Sequence, residues 1–97
     1  MTTAKPLFIP LKRAFFEAFE RGEKTEEYRP EGPRWNARVC HVGRPVVLSL
    51  GYSKARRLQG VVTGYRASAE PTKTQAWLDC YGQRGGLAAC ISVSLIK

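Results

Sequence analysis

Apolar and polar positions along this chain follow more than one period, and each change of period marks an element. Leu7, Phe8 and Ile9 form a short apolar run between Pro6 and Pro10, the length of one strand. Leu11, Ala14, Phe15, Ala18 and Phe19 then recur at three- and four-residue spacing, with Lys12, Arg13, Glu17 and Glu20 on the opposite face. That pattern predicts an amphipathic helix. Gly22 falls just past the end of the periodicity, where a left-handed cap residue is wanted. Lys24 to Arg29 reads as a strand that Pro30 and Pro33 break, and a loop through Arg34, Trp35 and Asn36 runs on to Gly43. Pro45 to Leu50 is a β-branched run that suits a core strand. Gly51 to Lys54 is a turn, and Leu58 to Arg66 resumes strand character, with Gly60 and Gly64 as bulge positions. Pro71 to Tyr81 fits no single period, although Trp77 and Leu78 can anchor a short helix. Residues 82–86 read as a loop, and Ala89 to Ile96 alternates, with Cys90, Val93 and Leu95 set against Ser92 and Ser94. Strand, helix, then mostly strands predicts an α+β, mainly β, fold: a small, partly open β-barrel with one or two helices.

Ninety-seven residues is one domain's worth of chain, so residues 1–97 are expected to form a single domain. At 43% hydrophobic residues with ten aromatics, the chain has the material for a core and lacks the signature of disorder. Its charge is less ordinary. Sixteen Lys and Arg face eight Asp and Glu, a formal net charge of +8. No acidic residue occurs from Gly32 to Ala69, where Arg34, Arg38, Arg44, Lys54, Arg56, Arg57 and Arg66 all fall. Such a surface attracts polyanions, and the planar fork of Arg suits phosphates and base edges. A purely solubilising role for the same charge stays open.

Cys40, Cys80 and Cys90 are odd in number and widely spaced, without a C-x-x-C pair, which points to reduced thiols rather than a zinc or redox motif. The N-terminal apolar run, interrupted by Lys5, Pro6 and Pro10, does not read as a signal peptide, and no stretch approaches the ~20 apolar residues of a membrane span. The expectation is a cytoplasmic protein with no membrane partner, no metal and no cofactor. His41 has no acidic residue near it in sequence and makes a poor general base, and neither a Ser-His-Asp arrangement nor a phosphate-cradling G-x-x-x-x-G-K occurs.

The informative segment follows the first helix. Gly22, Lys24, Glu27 and Arg29 fit the pattern G-x-K-x-x-E-x-R at the opening of a strand. With the order strand, helix, motif strand, basic loop and barrel strands, the chain resembles the ASCH domain family, a branch of the PUA-like β-barrels. The resemblance covers nearly the whole chain in layout, while its specific motif is eight residues long. It implies a nucleic-acid-associated role: RNA, or a modified nucleoside, held in a cleft beside the barrel. Carried over position by position, Gly22 is the turn glycine, Lys24 and Arg29 are cleft cations and Glu27 is the cleft carboxylate.

These residue types suit that role. A carboxylate accepts from an exocyclic amine or ring N–H, and the two cations meet phosphate or hold Glu27 ionised. In a regular strand Lys24 and Glu27 point to opposite faces, so they share a cleft only if Lys24 still belongs to the turn after Gly22. As a cleft residue, Glu27 is expected to lie outside the core. The plain alternative is an exposed strand bearing Lys–Glu pairs worth under ~1 kcal/mol each. Arg34 with Trp35, and Tyr52 with Lys54, Arg56 and Arg57, mix cations with aromatics as single-stranded nucleic-acid binders do. Trp35 serves equally well as a loop anchor.

An enzyme is the alternative reading: a small hydrolase, either an amidohydrolase on N4-acetylcytidine or a ribonuclease, with Lys24 and Glu27 as its catalytic pair. The amidohydrolase branch of the family uses a Lys, a Thr three residues later and a Glu from a later strand. Here Lys24 matches, but the Thr position is Glu27, Thr25 follows the lysine directly, and the later Glu has only Glu70 as a candidate at a place that does not align, so the amidohydrolase triad is not supported.

Overall fold

The computed structural model describes residues 5–83 and 85–96. In chain order these form β1 (Leu7–Leu11), α1 (Arg13–Glu20), β2 (Glu26–Pro30), β3 (Pro45–Leu50), β4 (Arg57–Ser68), a 3-10 turn (Glu70–Lys73), α2 (Gln75–Tyr81) and β5 (Ala88–Leu95). The helical segment left ambiguous by the sequence is thus α2. Thr74 caps its start by accepting from the Trp77 N–H at 3.1 Å, and Gly82 ends it in the left-handed region. Arg84, within the expected 82–86 loop, lies outside the described residues, as do residues 1–4 and 97 of the expected domain.

One sheet carries all five strands in the order β1-β3-β4-β5-β2. Only β1 and β3 run parallel; the other pairings are antiparallel. The first two strands of the chain therefore occupy opposite edges of the sheet. The Arg29 guanidinium of β2 donates to the Pro10 carbonyl of β1, so the sheet curls until its edges meet through a side chain rather than a backbone ladder. The result is α+β, mainly β: a partly open barrel with two helices.

Helix α1 fills that curl. Its Phe16 and Phe19 are buried with Leu7, Ile9 and Leu11 of β1, Val46 and Leu48 of β3, Val62 of β4 and Ile91 and Val93 of β5. A smaller cluster lies on the other face of the sheet, where Trp77 of α2 meets Ala88 and Cys90 beside Tyr28 and Tyr81. Cys90 thus shares its face with Ser92 and Ser94, not with Val93 and Leu95, because side chains alternate along β5.

Two local devices set the register. Along β4, Val62 pairs with Val93 and Gly64 with Ser92, which leaves Thr63 as an extra, bulged residue. Past the bulge the phase reverses, so Tyr65 packs on the main core and Arg66, opposite Cys90, faces α2. Gly60 needs its missing side chain: a Cβ there would lie 2.6 Å from the Ser94 carbonyl oxygen of β5.

Candidate functional site

The turn after α1 places the first site residue. Gly22 takes φ 81°, and the Glu23 and Lys24 N–H groups both fold back onto the Ala18 carbonyl at 2.9 and 3.1 Å. Lys24 therefore precedes β2 and escapes its alternation. Its ammonium comes within 3.6 Å of Glu27 Oε1, and the two side chains are only 17% and 8% exposed. Around that ammonium stand the rings of Tyr28 at 4.7 Å, Phe15 at 5.3 Å and Phe19 at 5.6 Å. An ammonium against aromatic faces is held by their quadrupoles as well as by the carboxylate.

Strand β2 supplies the rest of the floor. Glu31 N–H donates to Leu87 and Val93 N–H to Thr25, so the backbone groups of Thr25, Glu27, Arg29 and Glu31 turn towards β5. Those of Glu26 and Tyr28 face the open edge. Tyr81 reaches over from α2 and its hydroxyl donates to the Tyr28 carbonyl at 3.2 Å. Trp77 and Tyr81, four residues apart on one helix face, stand with ring centroids 4.5 Å apart. Together with Phe15 they wall a cavity of about 490 Å³, lined also by Lys24, Glu27, Tyr28, Arg66 and Glu70. That volume falls in the ~300–1,000 Å³ range of small-molecule sites.

The cavity's charge is balanced. Lys24 and Arg66 line it together with Glu27 and Glu70, and Arg66 is paired with Glu26 at 2.9 Å. The same Glu26 oxygen accepts from the Tyr28 hydroxyl at 2.9 Å. Burial, reinforced by that bond, pushes the Tyr28 phenol up to about 12. Burial likewise raises Tyr81 on the opposite wall, and the Cys90 thiol beneath Trp77.

The site differs from expectation in several respects. Lys24 and Glu27 converge beside aromatics, but Glu27 is buried where a cleft carboxylate is expected to lie outside the core. Of the two roles expected of Arg29, it takes the one beside Glu27 and not the one on phosphate: its Nε donates to Glu27 Oε2 at 2.9 Å, its terminal nitrogen to Pro10, and its guanidinium carbon lies 5.0 Å from the centre of the Trp35 ring. Trp35 is half-buried against the main core and anchors the loop from residue 31 to 44. Arg34 and Lys54 are exposed, and Tyr52 is 82% exposed with Phe8 beside it. Arg56 pairs with Glu20 at 2.8 Å, and Arg57 lies over Phe8. Of the nine residues expected at the site, then, only Lys24 and Glu27 line the cavity.

What sequence reading missed is the wall contributed by α2. The Thr74 cap, the Trp77–Tyr81 spacing and Gly82 form a legible helix signal across a segment that carries no other. Arg66 had none, because its direction depends on the bulge at Thr63.

Among the described residues, no group of three His, Cys, Asp or Glu is gathered as a metal site, and no helix is long and apolar enough to cross a membrane. Cys40, Cys80 and Cys90 are free thiols. No protein-family model and no curated protein matches the chain.

Proposed function

We propose that this chain is an ASCH-like, PUA-type domain that binds RNA or a modified nucleotide, with an unpaired base in the cavity beside β2. The observation that carries this reading is the Lys24–Glu27 pair, nearly buried and yet opening into an aromatic-walled cavity. A surface ion pair needs no such chamber. The rings offer stacking faces, Glu27 keeps unused acceptor positions for an amine or ring N–H, and Lys24 brings N–H donors for a carbonyl. A balanced cavity suits an uncharged heterocycle, and the exposed cations Arg34, Lys54 and Arg57 suit the phosphates that lie outside it.

Ala76 is exposed at the mouth of the cavity and takes no part in the core. Ala76→Gln enlarges that position without changing charge, on a helix where Gln is well tolerated. The variant is expected to melt as the wild type does and to lose binding of a single-stranded RNA oligonucleotide about tenfold or more at matched salt. Unchanged binding would place any RNA contact elsewhere.

A second reading, hydrolysis of a modified nucleoside such as N4-acetylcytidine, draws on Glu70 lining the same cavity as Lys24 and Glu27. It predicts turnover that disappears in Lys24→Ala. Binding without turnover removes it and leaves the first reading in place.

A further inference from the structure

The cavity is not the only concavity that Lys24 borders. On its other side lies a second one of about 380 Å³, lined by Phe19, Glu20, Thr25, Thr63, Ser94 and Leu95 among others. Its chemistry differs from that of the aromatic chamber. Phe19, Val93 and Leu95 give an apolar floor, while Thr25, Thr63 and Ser94 bring hydroxyls from residues that are all exposed. Thr63 is the residue that the β4 bulge sets outside the regular pairing. Glu20 contributes a carboxylate, and it is held from outside the cavity by Arg56 of the basic turn.

Hydroxyls and a carboxylate over an apolar floor are a poor match for phosphate and a good one for a sugar. A sugar presents C–H to the floor and O–H groups that both donate and accept. We propose that this second cavity is a ribose subsite, which makes the ligand a ribonucleotide chain rather than DNA or a free base. The inference rests on the nucleic-acid reading above. The order of groups across the surface then follows the order within a nucleotide. Aromatic walls take the base, Lys24 stands between the chambers, Thr63, Ser94 and Glu20 meet the ribose, and Arg56, bonded to Glu20, meets the next phosphate. The 2′-hydroxyl is the group that distinguishes RNA from DNA at such a site. This arrangement also accounts for a basic turn that contributes nothing to the aromatic chamber.

The test compares one single-stranded ribo-oligonucleotide with its deoxyribo counterpart by fluorescence anisotropy at fixed salt. Wild type, Thr63→Val with Ser94→Ala, and Thr63→Ser are measured. Both positions in the double variant are exposed, and Val keeps the β-branched shape, so the variant is expected to fold. The wild type should prefer RNA by about 5- to 10-fold, the size of one or two hydrogen bonds. The double variant should lose that preference by weakening RNA binding alone, and Thr63→Ser should retain it. Equal wild-type binding of RNA and DNA, or a preference that survives the double variant, overturns the ribose subsite while leaving the base cavity standing. Binding of neither oligonucleotide overturns the nucleic-acid reading and the subsite with it.

Discussion

Glu27 carries two burdens at once. Its carboxylate is buried between Lys24 and Arg29, so removing its charge leaves two cations short of a partner. Breaking one partner out of a buried pair costs about 3–5 kcal/mol, against under ~1 kcal/mol for a surface pair. Glu27→Gln is therefore expected to lower the melting temperature clearly, and to weaken RNA binding when measured well below that temperature. A folded Glu27→Gln protein with unimpaired binding would reduce Glu27 to a purely structural residue. At Gly60 the argument is steric. Gly60→Ala drives a methyl into the Ser94 carbonyl and should cost about 1–3 kcal/mol in urea unfolding, with no change in the base cavity. Tyr28 supplies the pH dependence. Its phenol titrates higher in the fold than in the unfolded chain, so the fold favours the neutral form. The stability this contributes is complete below the ordinary tyrosine value of ~10 and is lost as pH rises through about 12. Phenolate absorbance of Tyr28→Phe should lack a late step that the wild type shows, and its stability should fall less over that interval.

At the scale of elements, the bulge in β4 decides which residues meet the cavity. Strict alternation from Val62 would turn Arg66 towards the core and Tyr65 outwards, since a one-residue slip exchanges the two faces of a strand. Deleting Thr63 removes the unpaired residue itself, so Gly64 stays opposite Ser92 and Tyr65 opposite Ile91. The deletion is therefore expected to keep the fold with Tyr65 still on the core, as is Thr63→Val; a circular dichroism melt showing the deletion unfolded would mean that the bulge itself, and not the pairing on either side of it, holds the strand. The bulge also marks the boundary of what the sequence discloses. Helix α1 and strands β3 to β5 are written in local periodicity, and their positions follow from it. Lys24 and Glu27 could be paired from sequence only on the condition that the turn after Gly22 holds Lys24 out of the strand, and the bonds to Ala18 meet that condition. The partners of Arg29 are of another kind. Pro10 and Trp35 reach it only because the sheet curls, and no local pattern records a curl. Arg56 is similar, since Glu20 lies far from it in sequence and the pair exists only through the tertiary fold.

Over the whole molecule, positive charge is spread rather than gathered, and many cations are already matched. Arg13, Arg21, Arg56, Arg66 and Lys73 all sit in exposed or half-exposed ion pairs. A net charge of +8 therefore overstates what a polyanion meets at any one place. If phosphates lie along the basic turn, RNA affinity should fall with salt on a log-log line whose slope is roughly 0.7 per phosphate contacted. Replacing Lys54 and Arg57 together by Ala should flatten that slope by one to two contacts' worth. An unchanged slope would take the turn out of the footprint. Arg56→Ala should weaken binding by more than Lys54→Ala does, because it also uncovers the Glu20 carboxylate.

The crossing of β2 to the far edge of the sheet sets a timetable for the chain. Lys24 and Glu27 are made early in synthesis, but their strand has no neighbour until β5, at the other end of the sequence, is available to pair with it. The α2 wall also comes late, and Arg29 cannot fasten β2 to β1 before β2 has docked. The cavity is thus among the last features to exist, formed by the same long-range closure that completes the barrel. Contacts so distant in sequence form slowly, because the chain between them must be closed before they hold anything together. A nascent chain that stops short of Ala88 carries every residue of the motif and no cavity, so whatever ligand the cavity takes can bind only a finished molecule, and by binding it holds the last step shut.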